Sequence, residues 1–261
     1  MTTAVSPEAA VFCACLPCGY NPPLMIVTLI VFFAIFVQAA SGFGLALISM
    51  PLLVGLVGIS TATPLVALIG ITAEIFLLRR YWQALNFAAV KRLSLASVVG
   101  IPLGVYVLRE GDGRIITTIL GFIVTGYALY ALFGPRLPAL RQPAWAYGFG
   151  FLGGVLSGAY NTSGPPVIIY GAMRRWPPDL FRATLQGFFL ISNVIVIAGH
   201  GLAGLWTAEV LWLTLLSLPV LVTAVIAGAL VNRRIPAAQF ARLVYVLLIV
   251  LGALFLLPLV V

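Results

Sequence analysis

Two stretches of small and polar residues interrupt otherwise apolar sequence, and they are the residues best suited to hold a ligand. The first is Ser41-Gly42-Phe43-Gly44, and the second runs from Ser157 to Pro166. Because Gly and Pro punctuate helices, each stretch predicts a helix break. A helix that starts after a break exposes unpaired N–H groups and the positive end of its dipole, which bind anions without a basic side chain. The two stretches therefore predict an anion-binding site.

The residue types within the two stretches suggest separate roles. Ser163-Gly164-Pro165-Pro166 has the pattern of a helix start, because Ser caps helices and Pro suits the first turn. In the first stretch we expect Ser41 to cap the next helix, while Gly42 and Gly44 let a ligand approach the backbone. Neutral hydroxyl and amide groups add further donors. The predicted substrate-binding residues are Ser41, Gly42, Gly44, Ser157, Gly158, Asn161, Thr162, Ser163, Gly164 and Pro165.

Close helix packing is the alternative explanation for the glycines. Small residues at a spacing of four let membrane helices approach, and for Gly153, Gly154 and Gly158 the sequence leaves packing and ligand binding equally open. The segment from Asn161 to Pro166 favours function instead. Packing does not need so many polar groups beside two adjacent prolines at membrane depth.

Two isolated ionisable residues lie in apolar segments. Glu74 could carry a proton coupled to anion movement, or it could extend toward Arg79 or Arg80 one turn away; the second interpretation is the preferred one. His200, the single histidine of the chain, falls at the outer end of its segment and is expected at the membrane interface rather than in a proton relay.

Composition places these residues in a lipid bilayer. Of the 261 residues 62% are hydrophobic and 8% charged, whereas a soluble domain carries about 25% charged residues. The apolar runs reach the roughly 20 residues that a bilayer core requires. The net charge of +8 sits in short gaps between these runs, so it indicates membrane topology and not nucleic-acid binding. The chain is thus predicted to be an all-α integral membrane protein.

The positive-inside rule favours a specific topology. About eight hydrophobic segments are visible, and if all of them span once, the 14 Lys and Arg residues divide eight against six. If the two broken segments re-enter on their own side, only Arg109 and Arg114 lie outside and the other twelve lie inside. We therefore predict a multi-pass protein of a bacterial cytoplasmic membrane, with both termini outside.

This topology gives two repeats of opposite orientation. Each repeat is a broken hairpin followed by three membrane-spanning helices, the plan of many secondary transporters. Two sequence echoes agree with it: Ser41-Gly42 matches Ser157-Gly158, and Gly104-x-x-Val107-x-Arg109 matches Gly228-x-x-Val231-x-Arg233. The predicted parts are a tail at 1–22, a first repeat at 23–133, a cytoplasmic linker at 134–144 and a second repeat at 145–261. The tail lacks the basic start of a signal peptide and holds Cys13, Cys15 and Cys18, for which a poorly ordered tail is favoured over a metal site.

Most of the chain after residue 23 resembles the sulfite exporter TauE/SafE family, also called the toluene sulfonate uptake permease family. The resemblance implies a membrane transporter of sulfite, organosulfonates or related anions. We expect this transport to be coupled to protons, with Glu74 as the candidate proton carrier. The chain differs from the usual family pattern in having Ser163-Gly164, rather than a glycine pair, before the double proline. The matching residues are Ser41 to Gly44, Met50-Pro51, Gly153 to Gly158, Ser163 to Pro166, Tyr170, Phe181 to Leu185, and Asn193.

Two other functions are alternatives to transport of a sulfur anion. An intramembrane serine hydrolase would use Ser157 or Ser163 as nucleophile and His200 as base, but the expected outer position of His200 and the lack of a G-x-S-x-G elbow argue against it. A metal transporter would need several acidic, His or Cys ligands at depth, and only Glu74 is available. The sequence thus predicts no enzyme, no cofactor and no metal; a different small anion and the oligomeric state stay open.

Overall fold

The structure is a computed structural model that describes residues 22–134, 137–231, 245–246, 248–250 and 252–253. These residues form nine α-helices, a short 3₁₀ turn at Trp82–Ala84 and further helical residues at 245–246, 248–250 and 252–253, with no strand among them. The tail cysteines and the echo at Arg233 lie outside the described residues. The helices are α1 (Pro22–Ser41), α2 (Leu45–Val57), α3 (Ile59–Tyr81), α4 (Phe87–Glu110), α5 (Gly113–Phe133), α6 (Trp145–Tyr160), α7 (Gly164–Met173), α8 (Pro178–Leu202) and α9 (Ala208–Val231).

Five of the described helices are long and apolar enough to cross a membrane: α3, α4, α5, α8 and α9. They span 21 to 25 residues over the ranges that qualify, which corresponds to about 32–38 Å at 1.5 Å per residue. A hydrocarbon core is about 30 Å thick. The helical structure of the described residues and these five candidate spans confirm the prediction of an all-α, multi-pass membrane protein.

Both predicted helix breaks are present. Helix α1 ends at Ser41 and α2 begins at Leu45, while α6 ends at Tyr160 and α7 begins at Gly164. The four arms have unequal lengths of 20, 13, 16 and 10 residues. Two arms of about a dozen residues each were expected in the second segment. Instead α6 rises about 24 Å and α7 about 15 Å at 1.5 Å per residue, so the break divides the segment unequally.

Glycines bring α4 and α6 into direct backbone contact. A Cβ built at Gly154 of α6 would lie 2.7 Å from Cα of Ser97, and one at Gly104 of α4 would collide with the Val155 carbonyl. Gly158 is equally constrained, since its Cβ would strike the Ile101 carbonyl. The sequence left packing and ligand binding open for Gly154 and Gly158. Their contacts are those of helix packing.

A corresponding contact joins α9 to α1. A Cβ at Gly228 would meet the Phe36 carbonyl and would lie 2.7 Å from the Ala39 side chain. Helix α3 packs along α8. In addition, α3 packs against α9, and α8 packs against α4. The α3–α8 pair therefore lies at the centre of the helix bundle, with the two broken segments on either side of it.

Candidate functional site

The two helix breaks meet at one small cavity of about 40 Å³ between α2, α3, α7 and α8. Its walls combine backbone at two helix starts with buried polar side chains. No Lys or Arg is among the described residues that line it. The lining residues are Gln38, Phe43, Gly44, Leu45, Ala46, Leu47, Glu74, Asn161, Thr162, Ser163, Gly164, Phe189 and Asn193.

The first break depends on two glycines in the left-handed region of φ. Gly42 has φ 91° and Gly44 has φ 117°, a conformation that glycine alone adopts without strain. The side chain of Gln186 in α8 donates from Nε2 to the carbonyl of Gly42 at 2.6 Å. This bond holds the break against a helix of the other half of the chain.

Gln38, and not Ser41, satisfies the start of α2. Gly44 occupies the cap position of that helix, and Oε1 of Gln38 accepts a hydrogen bond from the Leu45 amide at 3.1 Å. The expectation that Ser41 caps α2 is therefore wrong. Ser41 is the last residue of α1, three residues too early in the chain for the cap position; its side chain lies outside the described set.

The second break closes α6 and immediately opens α7. Asn161 has φ 50°, and the amides of Asn161 and Thr162 donate to the Ser157 and Leu156 carbonyls at 2.8 and 3.2 Å. This is the left-handed ending by which many helices satisfy their last carbonyls. Pro165 lies in the first turn of α7, as predicted.

The hydroxyl groups at this break have different partners. Ser163 occupies the cap position of α7 but has helical φ and ψ, and its side chain makes no capping bond. The prediction that Ser163 caps α7 is wrong because a capping side chain needs an extended backbone to reach the first-turn amides. Thr162 donates from Oγ1 to the Tyr160 carbonyl at 2.9 Å. Of these two hydroxyls, the one of Ser163 has no hydrogen-bond partner among the described residues and can therefore bind a ligand.

Backbone amides at both helix starts have no acceptor among the described residues. In α2 these are the amides of Ala46 and Leu47, and at the start of α7 those of Ser163 and Gly164. The prolines that follow Gly164 carry no N–H. The four amides belong to residues that line the same cavity. Together with two helix dipoles they form a site suited to an anion.

Glu74 is directed into the cavity and not toward the arginines. Its side chain is 5% exposed, and Oε1 accepts a hydrogen bond from Asn193 Nδ2 at 2.7 Å. The second carboxyl oxygen, Oε2, has no partner among the described residues. The preferred interpretation that Glu74 extends toward Arg79 or Arg80 is wrong, because α8 packs along α3 and supplies an amide donor on the face that carries Glu74.

The structure brings only part of the predicted set to the cavity. Gly44, Asn161, Thr162, Ser163 and Gly164 line it together with Glu74. Of the other five predicted residues, Ser41 has a side chain outside the described set, and four are not among the lining ones: Gly42, whose space is filled by Arg182, Gly158, which packs on α4, and Ser157 and Pro165, which are buried beside the break.

Sequence reasoning missed Gln38 as a capping residue and Asn193 as the partner of Glu74. Each is a polar side chain in an otherwise apolar helix, and that signal could have identified both. A polar residue in an apolar helix does not show which neighbouring helix faces it, so the partners of Gln38 and Asn193 could not be derived from the sequence.

His200 is buried, contrary to the expectation of an interfacial residue. It has no exposed surface, and its Nε2 lies 3.2 Å from the Gly158 carbonyl. The end of α8 that carries His200 is covered by α4 and α6, which hydropathy along one segment does not reveal. The ring contacts a backbone carbonyl rather than a serine hydroxyl, so it is not arranged as the base of a Ser–His pair.

The described residues contain no group of three or more His, Cys, Asp or Glu side chains that could hold a metal ion. Glu74 has an amide, and not a second acid, as its neighbour in the cavity. Apart from Glu74, the polar groups of the cavity are amides and hydroxyls. Such hydrogen-bond donors suit an anion better than a metal ion.

Comparison with known proteins agrees with a transport site. The family model described as "Sulfite exporter TauE/SafE" matches residues 27–255. The chain is 26% identical, over 85% of its length and 89% of the relative's, to a Cupriavidus necator protein named "Probable sulfite/organosulfonate exporter TauE". It is 28% identical, over 64% and 73% of the two chains, to a Comamonas testosteroni protein named "Probable inner membrane transporter protein TsaS". No solved structure matches the chain.

Proposed function

The chain belongs to the sulfite exporter TauE/SafE family of membrane transporters, and we propose that it carries small sulfur-containing oxyanions, such as sulfite or organosulfonates, through the cavity between its helix breaks. One observation carries the proposal: two helix starts with unpaired amides open onto one buried cavity that no described Lys or Arg lines. The name of the Cupriavidus relative supports the choice of anion.

The partial positive charges of the two helix starts suit an anion that has to dissociate after transport. Each helix start contributes about half a positive charge, which is spread over several amides. A buried lysine or arginine would hold a small anion far more firmly, because a full charge interacts strongly in a medium of low dielectric constant. Amides and the Ser163 hydroxyl bind an oxyanion through directed hydrogen bonds, and transport requires this moderate affinity.

Glu74 couples the anion to a proton in this proposal. An ionised carboxylate in the cavity would repel the anion, whereas a protonated Glu74 would not repel it and could donate from Oε2. Anion binding and proton binding then favour each other, and the coupling is reciprocal. Support comes from the position of Glu74 in the cavity wall and from its second oxygen, which lacks a described partner.

The helix packing supports an inverted repeat. Exchanging α1 to α4 for α6 to α9 turns the α4–α6 contact into the α9–α1 contact, and the α4–α8 contact into α9–α3. The α3–α8 pair maps onto itself. Glu74 follows the first residue of α3, Ile59, by 15 positions, and Asn193 follows the first residue of α8, Pro178, by 15 positions. Their hydrogen bond would lie on the axis that relates the two halves.

The arrangement of helix ends supports the proposed topology. Arg182, near the start of α8, donates to Tyr81 Oη at the end of α3 at 3.4 Å, so the loop after α3 and the loop before α8 lie on one side of the bundle. The positive-inside rule assigns that side to the cytoplasm, because both loops are rich in arginine. Both termini are then outside.

Binding and flux measurements on purified protein test the proposal. A thermal-shift panel of sulfite, thiosulfate, sulfate, sulfoacetate, taurine and acetate should show stabilisation by one or more sulfur anions, and about 2.7 kcal/mol is expected at 100 times the dissociation constant. The stabilising anion should also enter proteoliposomes that contain the protein, at a rate that depends on a pH gradient. Stabilisation by acetate alone, or by none of the six, would contradict the proposed substrate class.

A further inference from the structure

Arg182 in α8 packs against Gly42 of the first helix break and is not among the residues that line the cavity. Its Cγ lies 3.1 Å from the position where a Cβ of Gly42 would be, and its Cδ lies 3.6 Å from that position. The adjacent residues of the same break, Phe43 and Gly44, line the cavity. A three-residue loop thus separates the anion site from a half-buried arginine.

Arg182 has aromatic and hydroxyl contacts but no acidic partner among the described residues. Its guanidinium carbon lies 5.8 Å from the centre of the Tyr81 ring, and Nη1 donates to Tyr81 Oη at 3.4 Å. The single ion pair of the described residues joins Arg109 to Glu110. A guanidinium presents a planar fork of donors that fits an oxyanion as well as a carboxylate, so this guanidinium retains its capacity for an anion.

The loop next to Arg182 is held in a way that permits a change of conformation. Gly42 and Gly44 carry positive φ, and one side-chain bond, from Gln186 to the Gly42 carbonyl, joins the loop to α8. Gln186 lies one helical turn after Arg182, on the same face of α8. A displacement of this loop would therefore change the contacts of Arg182 with Gly42 and, at the same time, the part of the cavity wall that Phe43 and Gly44 form.

We propose that Arg182, backed by Tyr81, forms a receiving site for the anion behind the first helix break, from which the anion passes into the cavity when the loop at residues 42–44 moves. This inference rests on the proposed function and adds a second anion position to it. The guanidinium exchanges its weak contact with the Tyr81 hydroxyl for two parallel hydrogen bonds to an oxyanion, a geometry that sulfite and sulfonate oxygens offer.

The surroundings of Arg182 favour an anion approaching from this side. Arg79, Lys91, Arg92 and Arg174 lie at helix ends in the same two loop regions, and the only carboxylate in the described part of these regions is Asp179. A surface with one sign of charge concentrates oppositely charged ions near the entrance. Among the basic residues of these two regions, Arg182 supplies the atoms that lie nearest to Gly42 of the break.

Two substitutions of matched length separate charge from packing. In Arg182→Lys and Arg182→Met a similar apolar stem rests on Gly42, but only the lysine keeps the charge. With radiolabelled sulfite and proteoliposomes, we expect the lysine variant, which keeps the charge but loses the two parallel hydrogen bonds, to lose about threefold in kcat/KM, and the methionine variant to lose about tenfold or more. The calorimetric Kd for sulfite in detergent should stay within about threefold in both, because the cavity residues are untouched.

Arg79→Met is the matched control for loss of general positive charge. Its side chain is exposed and is not among the residues that touch the break, so a loss of less than about twofold is expected, and added salt should screen it. Equal kcat/KM in the lysine and methionine variants would overturn the receiving site, because packing would then explain Arg182. Absence of sulfite binding and flux in the wild-type protein would instead overturn the proposed function, and the receiving site with it.

Discussion

Removal of one hydroxyl at the second helix break should weaken anion binding, while removal of its neighbour should not. Ser163 and Thr162 are adjacent, buried and part of the cavity wall. The Ser163 hydroxyl makes no capping bond, whereas the Thr162 hydroxyl is committed to the Tyr160 carbonyl. Ser163→Ala and Thr162→Val each remove one hydroxyl and leave the shape of the side chain nearly unchanged.

The expected magnitude follows from the charge of the ligand. A hydrogen bond to a charged group contributes about 1.5–3 kcal/mol, so Ser163→Ala should weaken anion binding about 10- to 150-fold. Thr162→Val removes a bond inside the break, so it should lower stability by about 1 kcal/mol and change anion affinity less than about threefold.

Isothermal titration calorimetry on detergent-purified variants measures both affinities, and thermal unfolding measures both stabilities. Equal losses of affinity in the two variants would show that the break as a whole, and not the Ser163 hydroxyl, determines binding. Wild-type affinity in Ser163→Ala would place the anion elsewhere and refute the reasoning.

Three further outcomes are expected. Glu74→Gln should abolish the pH dependence of uptake and keep anion affinity, at every pH, within about threefold of the wild-type affinity at low pH, because the amide occupies the space of the protonated carboxyl but cannot release a proton; a persistent pH dependence would remove Glu74 from coupling. Gly154→Ala should lower the free energy of unfolding by about 1–3 kcal/mol through overpacking against Ser97, whereas Gly126→Ala, where the added methyl meets open space, should not. With the three native cysteines replaced by serine, Leu85→Cys should resist an impermeant thiol reagent in intact cells, and Asp112→Cys should react with it; rapid labelling at position 85 would contradict the topology.

The sequence was sufficient to predict the breaks because their cause is local. Glycine and proline in the segments at Ser41 and Ser163 exclude a continuous helix wherever those segments lie, and the spans follow from composition over about 20 residues. The convergence of the two breaks followed from the expected repeat, and the cavity lined by both confirms that they meet.

Choices between neighbouring partners could not be predicted in the same way. Glu74 has arginines five and six residues away in the chain and Asn193 119 residues away, and tertiary packing selects the distant partner. The same holds for Gly158, whose small size suits a ligand as well as a helix until the position of α4 is known. His200 shows the limit of hydropathy, which locates the end of a segment but not what covers it.

The glycine contacts between the halves set an order for biogenesis. Helix α4 is synthesised before α6, so its glycine-rich face has no packing partner until α6 is made. Helix α1 is made first of all, and its contact with Gly228 can form only after α9 is synthesised. Until then these faces border lipid, which cannot fill a groove shaped for a backbone as closely as a helix does. We therefore expect that neither half packs completely alone in the membrane, and that a fragment ending at residue 134 is degraded faster than the whole chain.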